Sequence, residues 1–554
     1  MEQILQLPPH SKTPALKNRE FDAALDELVD EGDLISRYIQ KQQELTAVEE
    51  FSKWHEVNSE PSQAKYYHNL IPLEKPTVDE QYAFEVDLDT CSGCKACVSA
   101  CHSLNGLDAN ETWRDVGTIF SDSTIVEMDE MPAQYTVTTA CHHCAEPGCL
   151  DGCPVLAYDK DESTGIVRHL DDQCIGCQYC ILKCPYDVPK YSEEKGIVRK
   201  CDMCHSRLSV GEAPACVQAC PNEAIRIIKV DKSELTAERL SGSALVPGAY
   251  DSGYTKPSSR YISKRKSPSQ GSFFSANTFE VAPEHSHMPL VFMLVLTQLS
   301  VGSIGAEMFL RLFEFEPELW LSAIALFSGL VGIGASVLHL GQPLKAWRAF
   351  LGLRKSWLSR EVVGFGLYAP MAIGYAGLLL VKNYSDFPWV DQIPLSFVAF
   401  ACFAVGLICV ICSVMVYVDT QRVFWRMRWT LSKFLLSTTL LGAAASYVIT
   451  GHTIALTVTI ISALTKGLLE TGFLLAYRDK KLIGKKTDAK SAQLMLNQLR
   501  LESVLRFVFL VLGVSIITLS PWVALGSIVL AELLERYLFF RAVVAYKMPG
   551  GIAS

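Results

Sequence analysis

Sixteen of the 19 cysteines lie between Cys91 and Cys220, in four groups of four. They read Cys91-x2-Cys94-x2-Cys97-x3-Cys101, Cys141-x2-Cys144-x4-Cys149-x3-Cys153-Pro, Cys174-x2-Cys177-x2-Cys180-x3-Cys184-Pro and Cys201-x2-Cys204-x11-Cys216-x3-Cys220-Pro. Short spacings put three thiolates on one tight loop around one corner of a cubane cluster. The fourth Cys, usually followed by Pro, reaches across to a neighbouring cluster. Four quartets therefore predict four [4Fe-4S] clusters in two ferredoxin-like pairs, and a chain whose chemistry is the carriage of electrons. Disulfides would need an oxidising compartment and usually a small secreted chain. Zinc would need closed sets of four, whereas the x2-x2-x3 rhythm with a trailing Cys-Pro is the ferredoxin run.

Short alternating stretches deliver the chain into these loops. Tyr82 to Leu88 reads as a strand with Phe84, Val86 and Leu88 on one face. Gly165-Ile166-Val167-Arg168 and Gly196-Ile197-Val198-Arg199 precede the third and fourth quartets, and Ala224 to Val230 follows the last. This loop–helix–loop–strand repeat is that of a polyferredoxin. Upstream, Phe21, Leu25, Leu28, Ile35 and Ile39 mark one helical face, and Leu45, Val48, Phe51 and Trp54 another. Glu20 to Asp33 is acidic, read as a solvated face or a docking surface. Ser241 to His287, rich in Ser, Pro, Gly and Tyr with a basic knot at Lys264-Arg265-Lys266, reads as a linker running extended over another surface.

From Met288 the chain turns apolar. Eight stretches approach the ~20 residues a bilayer helix needs: about 288–310, 319–340, 362–381, 395–418, 434–450, 453–477, 507–523 and 524–541. The predicted fold class is an α+β polyferredoxin domain followed by an all-α eight-helix transmembrane bundle. Its parts are a helical N-terminal extension (1–80), a four-cluster domain (81–235), a linker (236–287) and a membrane anchor (288–554). Basic residues crowd alternate loops: Lys345, Arg348, Arg354, Lys355 and Arg360; Arg422, Arg426, Arg428 and Lys433; then Arg478, Lys480, Lys481, Lys485, Lys486, Lys490, Arg500 and Arg506. The other loops offer Arg311 and Lys382. The positive-inside rule puts the basic side, the cluster domain and the C-terminus in the cytoplasm, in a multi-pass protein of the cytoplasmic (inner) membrane. Neither a cleavable signal nor a twin-arginine pair is visible at the start. The formal net charge of −9 gives no case for nucleic acid.

Within the apolar half, His339 can exchange a proton with a quinol hydroxyl, or simply cap a helix at the interface. A quinone site is expected beside it, on the cluster side, with Trp357, Arg360 and Glu361 nearby. Glu307, Glu532 and Glu535 are intramembrane carboxylates, which face cavities or partners. Glu307 is a proton-path candidate or the i,i+4 partner of Arg311. Lys466 and Glu470 are expected to neutralise each other, and Cys402, Cys409 and Cys412 to be apolar filler. His142 and His143 are expected to pack and hydrogen-bond locally.

Two sets of motifs carry a family resemblance, covering about residues 80–554. Cys91-Ser-Gly-Cys-Lys-Ala-Cys, Cys174-Ile-Gly-Cys-Gln-Tyr-Cys and the long-gapped fourth quartet resemble the electron-transfer subunit of the dimethyl sulfoxide reductase family of molybdenum oxidoreductases. His287-Met-Pro-Leu, His339-Leu-Gly-Gln-Pro, Ser356-Trp-Leu-Ser-Arg-Glu361, Tyr417-Val-Asp-Thr-Gln-Arg422 and Glu532 to Phe539 resemble its membrane-anchor subunit. The resemblance implies four ligand sets. They are Cys91, Cys94, Cys97 and Cys220; Cys201, Cys204, Cys216 and Cys101; Cys141, Cys144, Cys149 and Cys184; and Cys174, Cys177, Cys180 and Cys153. It also implies a separate large catalytic subunit with a molybdopterin cofactor of the bis-guanine-dinucleotide type, and quinone or menaquinone as exchangeable substrate. The expected role is to shuttle electrons between the membrane quinone pool and that subunit in anaerobic S- or N-oxide respiration. A sulfite:quinone oxidoreductase running in the oxidising direction, and a membrane redox sensor or scaffold, are the alternatives; cytoplasmic clusters resemble the sulfite-oxidising members.

Overall fold

The structure, a computed structural model, describes residues 36, 39, 46–57, 64–121, 133–242, 244–265, 273–279, 281–313, 318–385, 392–479, 482 and 486–549. It divides into two compact units, Met1–Tyr66 and Tyr67–Ser554. In the first, Ala47–Val57 forms helix α1. Thr46 and Glu49 cap it reciprocally: the Thr46 amide donates to the Glu49 carboxylate at 2.7 Å and the Glu49 amide to the Thr46 hydroxyl at 3.3 Å. Most of the acidic helix expected before it lies outside the described residues.

In the second unit, strand β1 (Glu80–Asp87) leads into the first quartet and β8 (Ile225–Asp231) leaves the fourth. They pair antiparallel from Glu80↔Asp231 to Val86↔Ile225, so the two ends of the cysteine region are brought side by side. Two short hairpins do the same further in. β4 (Tyr158–Lys160) pairs with β5 (Val167–His169) between the second and third quartets, and β6 (Lys190–Ser192) with β7 (Ile197–Arg199) between the third and fourth. β2 (Asp115–Ser121) and β3 (Gln134–Thr139) form a further antiparallel pair. The expected linker contributes to both larger sheets: β9 (Arg260–Ile262) runs parallel to β1 and β10 (Phe273–Ser275) antiparallel to β2. It is extended because its hydrogen bonds go to sheet edges.

Among the described residues the helical region holds eight long helices. Six are long and apolar enough to cross a membrane: α8 (Met288–Leu312), α9 (Leu319–Val337), α10 (Trp357–Tyr384), α11 (Leu395–Val418), α12 (Met427–Thr450) and α13 (Thr453–Tyr477). (Labels α2–α7 belong to the helices Ala96–Asn105, Gly148–Gly152, Tyr179–Lys183, His205–Ser209, Ala215–Gln218 and Lys232–Leu240 of the cysteine region.) After a short helix α14 (Thr487–Leu496) come α15 (Arg500–Ile516) and α16 (Pro521–Arg541), which carry ionisable residues within their length. The break between these two falls at residues 517–520, ahead of Pro521, rather than between 523 and 524 as the hydropathy suggested. The second span ends at Val337, and α10 and α12 begin a turn or more earlier than expected. Gly302 of α8 lies against Gly442 of α12, where an added Cβ would sit 3.0 Å from the Gly442 amide nitrogen; small residues let the two backbones touch.

The cysteine region rests on one end of this bundle. Gly176 in the third quartet, Gly196 and Gly341 meet backbone to backbone, and a Cβ on Gly176 would lie 2.9 Å from the Gly341 nitrogen. Gly176 and Gly196 have φ of +68° and +63°, so glycine suits both the turn and the contact. The Gln342 amide donates to the Ile175 carbonyl (3.0 Å) and the Gly352 amide to that of Pro154 (2.8 Å). Tyr179 donates to the Val416 carbonyl (2.8 Å), and Lys183 pairs with Asp419 (2.8 Å). The basic loop after α9 belongs to the same face: Lys345 and Arg348 donate to the Asp172 carbonyl. Lys433 and Arg506, read with the loops, are instead buried within α12 and α15.

Candidate functional site

The fold gathers the cysteines in fours. Burial lifts the Cys91 thiol, and the thiols facing it are Cys97, Cys220 and Cys94. Burial lifts Cys101 to about 12, with Cys216 and Cys204 facing it. Cys149, raised by burial, faces Cys184, Cys141 and Cys144. Cys180, raised likewise, faces Cys177, Cys174 and Cys153. Thiols of the first quartet thus face thiols of the fourth, and those of the second face those of the third; β1 leads into the first quartet and β8 leaves the fourth, so their pairing brings these two together.

The sites suit clusters. All the cysteines are free thiols, and no three His, Cys, Asp or Glu side chains among the described residues close on a single metal ion. Cys141, Cys144, Cys149 and Cys184 line one cavity of about 20 Å³. Backbone amides point at sulfur: Gly176 at Cys174 (3.3 Å), Met203 at Cys201 (3.4 Å) and Ala157 at Cys153 (3.2 Å). Such amides stabilise negative charge on sulfur. The raised thiol values mean that ligation must displace protons.

Where the third quartet meets the bundle lies a cavity of about 190 Å³. Cys177, Gln178 and Tyr179 line one side, and His287, His339, Glu361 and Tyr417 the other, among apolar side chains such as Met293, Val362 and Phe365. The His339 ring faces the Cys177 backbone. It stands 5.1 Å, centroid to centroid, from the His287 ring. Both imidazoles lie outside the helices. Burial pushes His339 down to about 4 and His287 to about 3, so both are neutral at pH 7. Glu361 is buried, accepts a hydrogen bond from Ser413, and has no ion-pair partner among the described residues.

Other candidates stand elsewhere. Arg360 turns away from the cavity: its guanidinium lies 4.2 Å from the Trp357 ring centroid and donates to the carbonyls of Leu353 and Arg354. Glu307 is at the far end of α8, paired with Arg311 at 3.2 Å and accepting from Tyr375 at 2.7 Å. Lys466 pairs with Glu532 and Glu535, and Glu470 with Arg506, rather than with each other. The i,i+4 spacing was a poor guide because α15 and α16 bring closer partners. Cys402, Cys409 and Cys412 are buried among apolar neighbours.

Comparison with known proteins bears directly on these two halves. Residues 132–230 match the family described as 4Fe-4S dicluster domain, and residues 284–540 the family described as DMSO reductase anchor subunit (DmsC). The B subunit of the anaerobic dimethyl sulfoxide reductase of Haemophilus influenzae is 37% identical over 157 residues, 28% of this chain and 76% of the relative. The chain belongs to the dimethyl sulfoxide reductase family. It joins that family's iron–sulfur and anchor subunits in one polypeptide. The B subunit of the Escherichia coli enzyme is 35% identical over 181 residues, covering 32% of this chain and 86% of the relative. The hydrogenase-2 operon protein HybA of Escherichia coli O157:H7 is 34% identical over 196 residues, 32% of this chain and 59% of the relative.

In this member of the dimethyl sulfoxide reductase family, three residues between the thiol sets escaped the sequence reading. Arg114, buried, donates to Thr138 (3.1 Å) and faces Cys216, Cys97, Cys201 and Cys101. Lys200, buried, donates to the carbonyls of Val167 and Cys201 and faces Cys141, Cys149 and Cys201. Burial works against both cations, and the facing thiols outweigh it. Tyr158 faces Cys180, Cys149 and Cys153. Each of the three thus faces thiols of two sets, and it is Cys177 of the third quartet that lines the cavity against the bundle. Lys200 directly precedes Cys201, but its burial is a tertiary fact. His142 bonds Ser259 at 2.9 Å and His143 accepts from the Val167 amide at 3.1 Å, the local roles expected.

Proposed function

We propose that this chain oxidises quinol in the cavity between His339 and Glu361 and delivers the electrons to a separate molybdopterin catalytic subunit, in respiration of the dimethyl sulfoxide type. The observation that carries the reading is that the His339 imidazole and the Glu361 carboxyl line one cavity with Cys177 of the third quartet. The sixteen cysteines would hold four [4Fe-4S] clusters, which supply one-electron carriers when bound. The apolar walls suit a menaquinol ring. Neutral His339 can accept a hydrogen bond from one quinol hydroxyl, and Glu361 can take up a proton without leaving a cation unpaired. Tyr179 and Lys183, tied to Val416 and Asp419, hold the third quartet loop at the cavity mouth.

The catalytic partner is inferred from the relatives, named as components of a reductase. We read α15 and α16 as two further crossings, making eight, with the iron–sulfur region and the C-terminus on the cytoplasmic side of the inner membrane. The basic loops at the cluster end of the bundle support this orientation. The decisive experiment replaces His339 by Ala and follows quinol-driven reduction of the clusters. Loss of that reaction is expected, with iron content, membrane insertion and reduction by a soluble artificial donor retained. A wild-type rate with quinol would place the site elsewhere.

A further inference from the structure

Behind the cavity, the bundle carries a line of buried polar side chains leading to its far end. On α10, Glu361, Tyr368 and Tyr375 recur every seven residues, and on α8 Ser300 and Glu307 do the same. Seven residues are two helical turns, about 10.5 Å, so each series keeps to one stripe of its helix. The stripes join at two rungs: the Tyr368 and Ser300 hydroxyls are 2.8 Å apart, and Tyr375 donates to Glu307 at 2.7 Å. All five residues are buried. Glycines make room for the first rung. A Cβ on Gly329 would lie 2.6 Å from the Ser300 hydroxyl, and one on Gly406 2.8 Å from the Tyr368 ring. Between the rungs stands Ser303, whose buried hydroxyl has no partner, and at the second rung one Glu307 oxygen is likewise unpartnered. Polar groups at this depth are costly unless they serve a path or a partner. Unpartnered buried oxygens are places for ordered water.

We propose that this line conducts the proton taken up by Glu361 to the membrane face opposite the iron–sulfur region, where it leaves at Glu307 and Arg311. The proposal rests on the quinol reading above. Quinol gives up two electrons and two protons as it becomes quinone. The electrons pass to the iron–sulfur region and on to its acceptor. One proton leaves on the His339 side. The other moves from Glu361 by way of the Tyr368 and Ser300 hydroxyls, Ser303 and bridging water to the Glu307 carboxylate. From Glu361 to Tyr375 the route spans about 21 Å of a hydrocarbon core of about 30 Å. Quinol oxidation would then separate charge across the membrane without a moving part.

The test uses the full chain with its clusters, in vesicles loaded with a pH-sensitive dye and held at zero potential by potassium and valinomycin. External ferricyanide, which does not cross the bilayer, selects the chains whose iron–sulfur region faces outward. Adding menaquinol should acidify the lumen by about one proton per quinol oxidised, a stoichiometry set by the two-proton chemistry. Tyr375→Phe and Tyr368→Phe should each cut the luminal yield per electron at least fivefold. Cluster absorbance should be unchanged in both, and Ser300→Ala provides a third variant if either fails to assemble. Release of all protons outside by the wild type, or an unchanged luminal yield in the assembled variants, overturns the path while leaving the quinol site standing. If quinol reduces no cluster that dithionite can reduce, the site reading falls and the path with it.

Discussion

At the scale of single residues, the chemistry of this chain is set by what surrounds sulfur. Lys200 places a buried positive charge between two thiol sets, and a cation there favours the more negative, reduced state of a neighbouring cluster. Lys200→Met should lower the midpoint potential of an adjacent cluster on the order of 60 mV, equal to ~1.4 kcal/mol for one electron. Redox titration followed by electron spin resonance would show it, and an unshifted potential would mean that the charge is screened. Cys177→Ser should remove or convert one cluster only, because the facing thiols of Cys177 belong to a single set. The four cysteine quartets were legible from their spacing; His339 was a candidate from its place at the end of an apolar stretch, and Glu361 as a residue expected near it. Arg114 and Lys200 were not legible, because nothing local distinguishes a buried cation from an exposed one. Arg360 was misplaced for a related reason. Its position in the loop after His339 suggested proximity, but the helix phase at Trp357 turns it outward.

At the scale of elements, glycine contacts decide how closely the pieces meet. Gly302→Leu would drive a side chain into α12 at Gly442 and should destabilise the bundle by about 1–3 kcal/mol or more, as overpacking does. Thermal unfolding in detergent would report it; an unchanged transition would show that the helices can part at no cost. Strand positions and most apolar helices could be read from periodicity. Their ends could not: the start of α12 falls in Met427-Arg428-Trp429, where charge hides a helix from a hydropathy window. The same blindness affects α15 and α16, whose charges are hidden by mutual pairing. Lys466 with Glu532 at a side-chain exposure of 1% and 0%, and Arg506 with Glu532 at 3.1 Å, form only once the three helices α13, α15 and α16 have come together.

At the scale of the whole molecule, the iron–sulfur region is fixed to one end of the bundle. Purified anaerobically, the chain should contain about sixteen iron atoms, following from four cubane sets; about four, or stoichiometric zinc, would sink the cluster assignment. Reporter fusions after Ser554 and Lys486 should be active in the cytoplasm and one near Ser385 outside, given the crowding of basic residues on alternate loops. An active periplasmic phosphatase at Ser554 would invert the assignment. Residues 241–287, read as a linker running extended over another surface, lend an edge strand to each of two sheets before entering α8. An iron–sulfur region and a membrane anchor on separate chains would have to meet by diffusion, and the extent of docking would depend on how much of each is made. Here the two are tethered, and a short tether corresponds to an effective concentration in the millimolar range. Docking through the backbone contacts at Gly176, Gly196 and Gly341 and the side-chain bonds of Tyr179 and Lys183 is then sufficient. Expression ratio drops out of assembly, and dilution does not separate the halves.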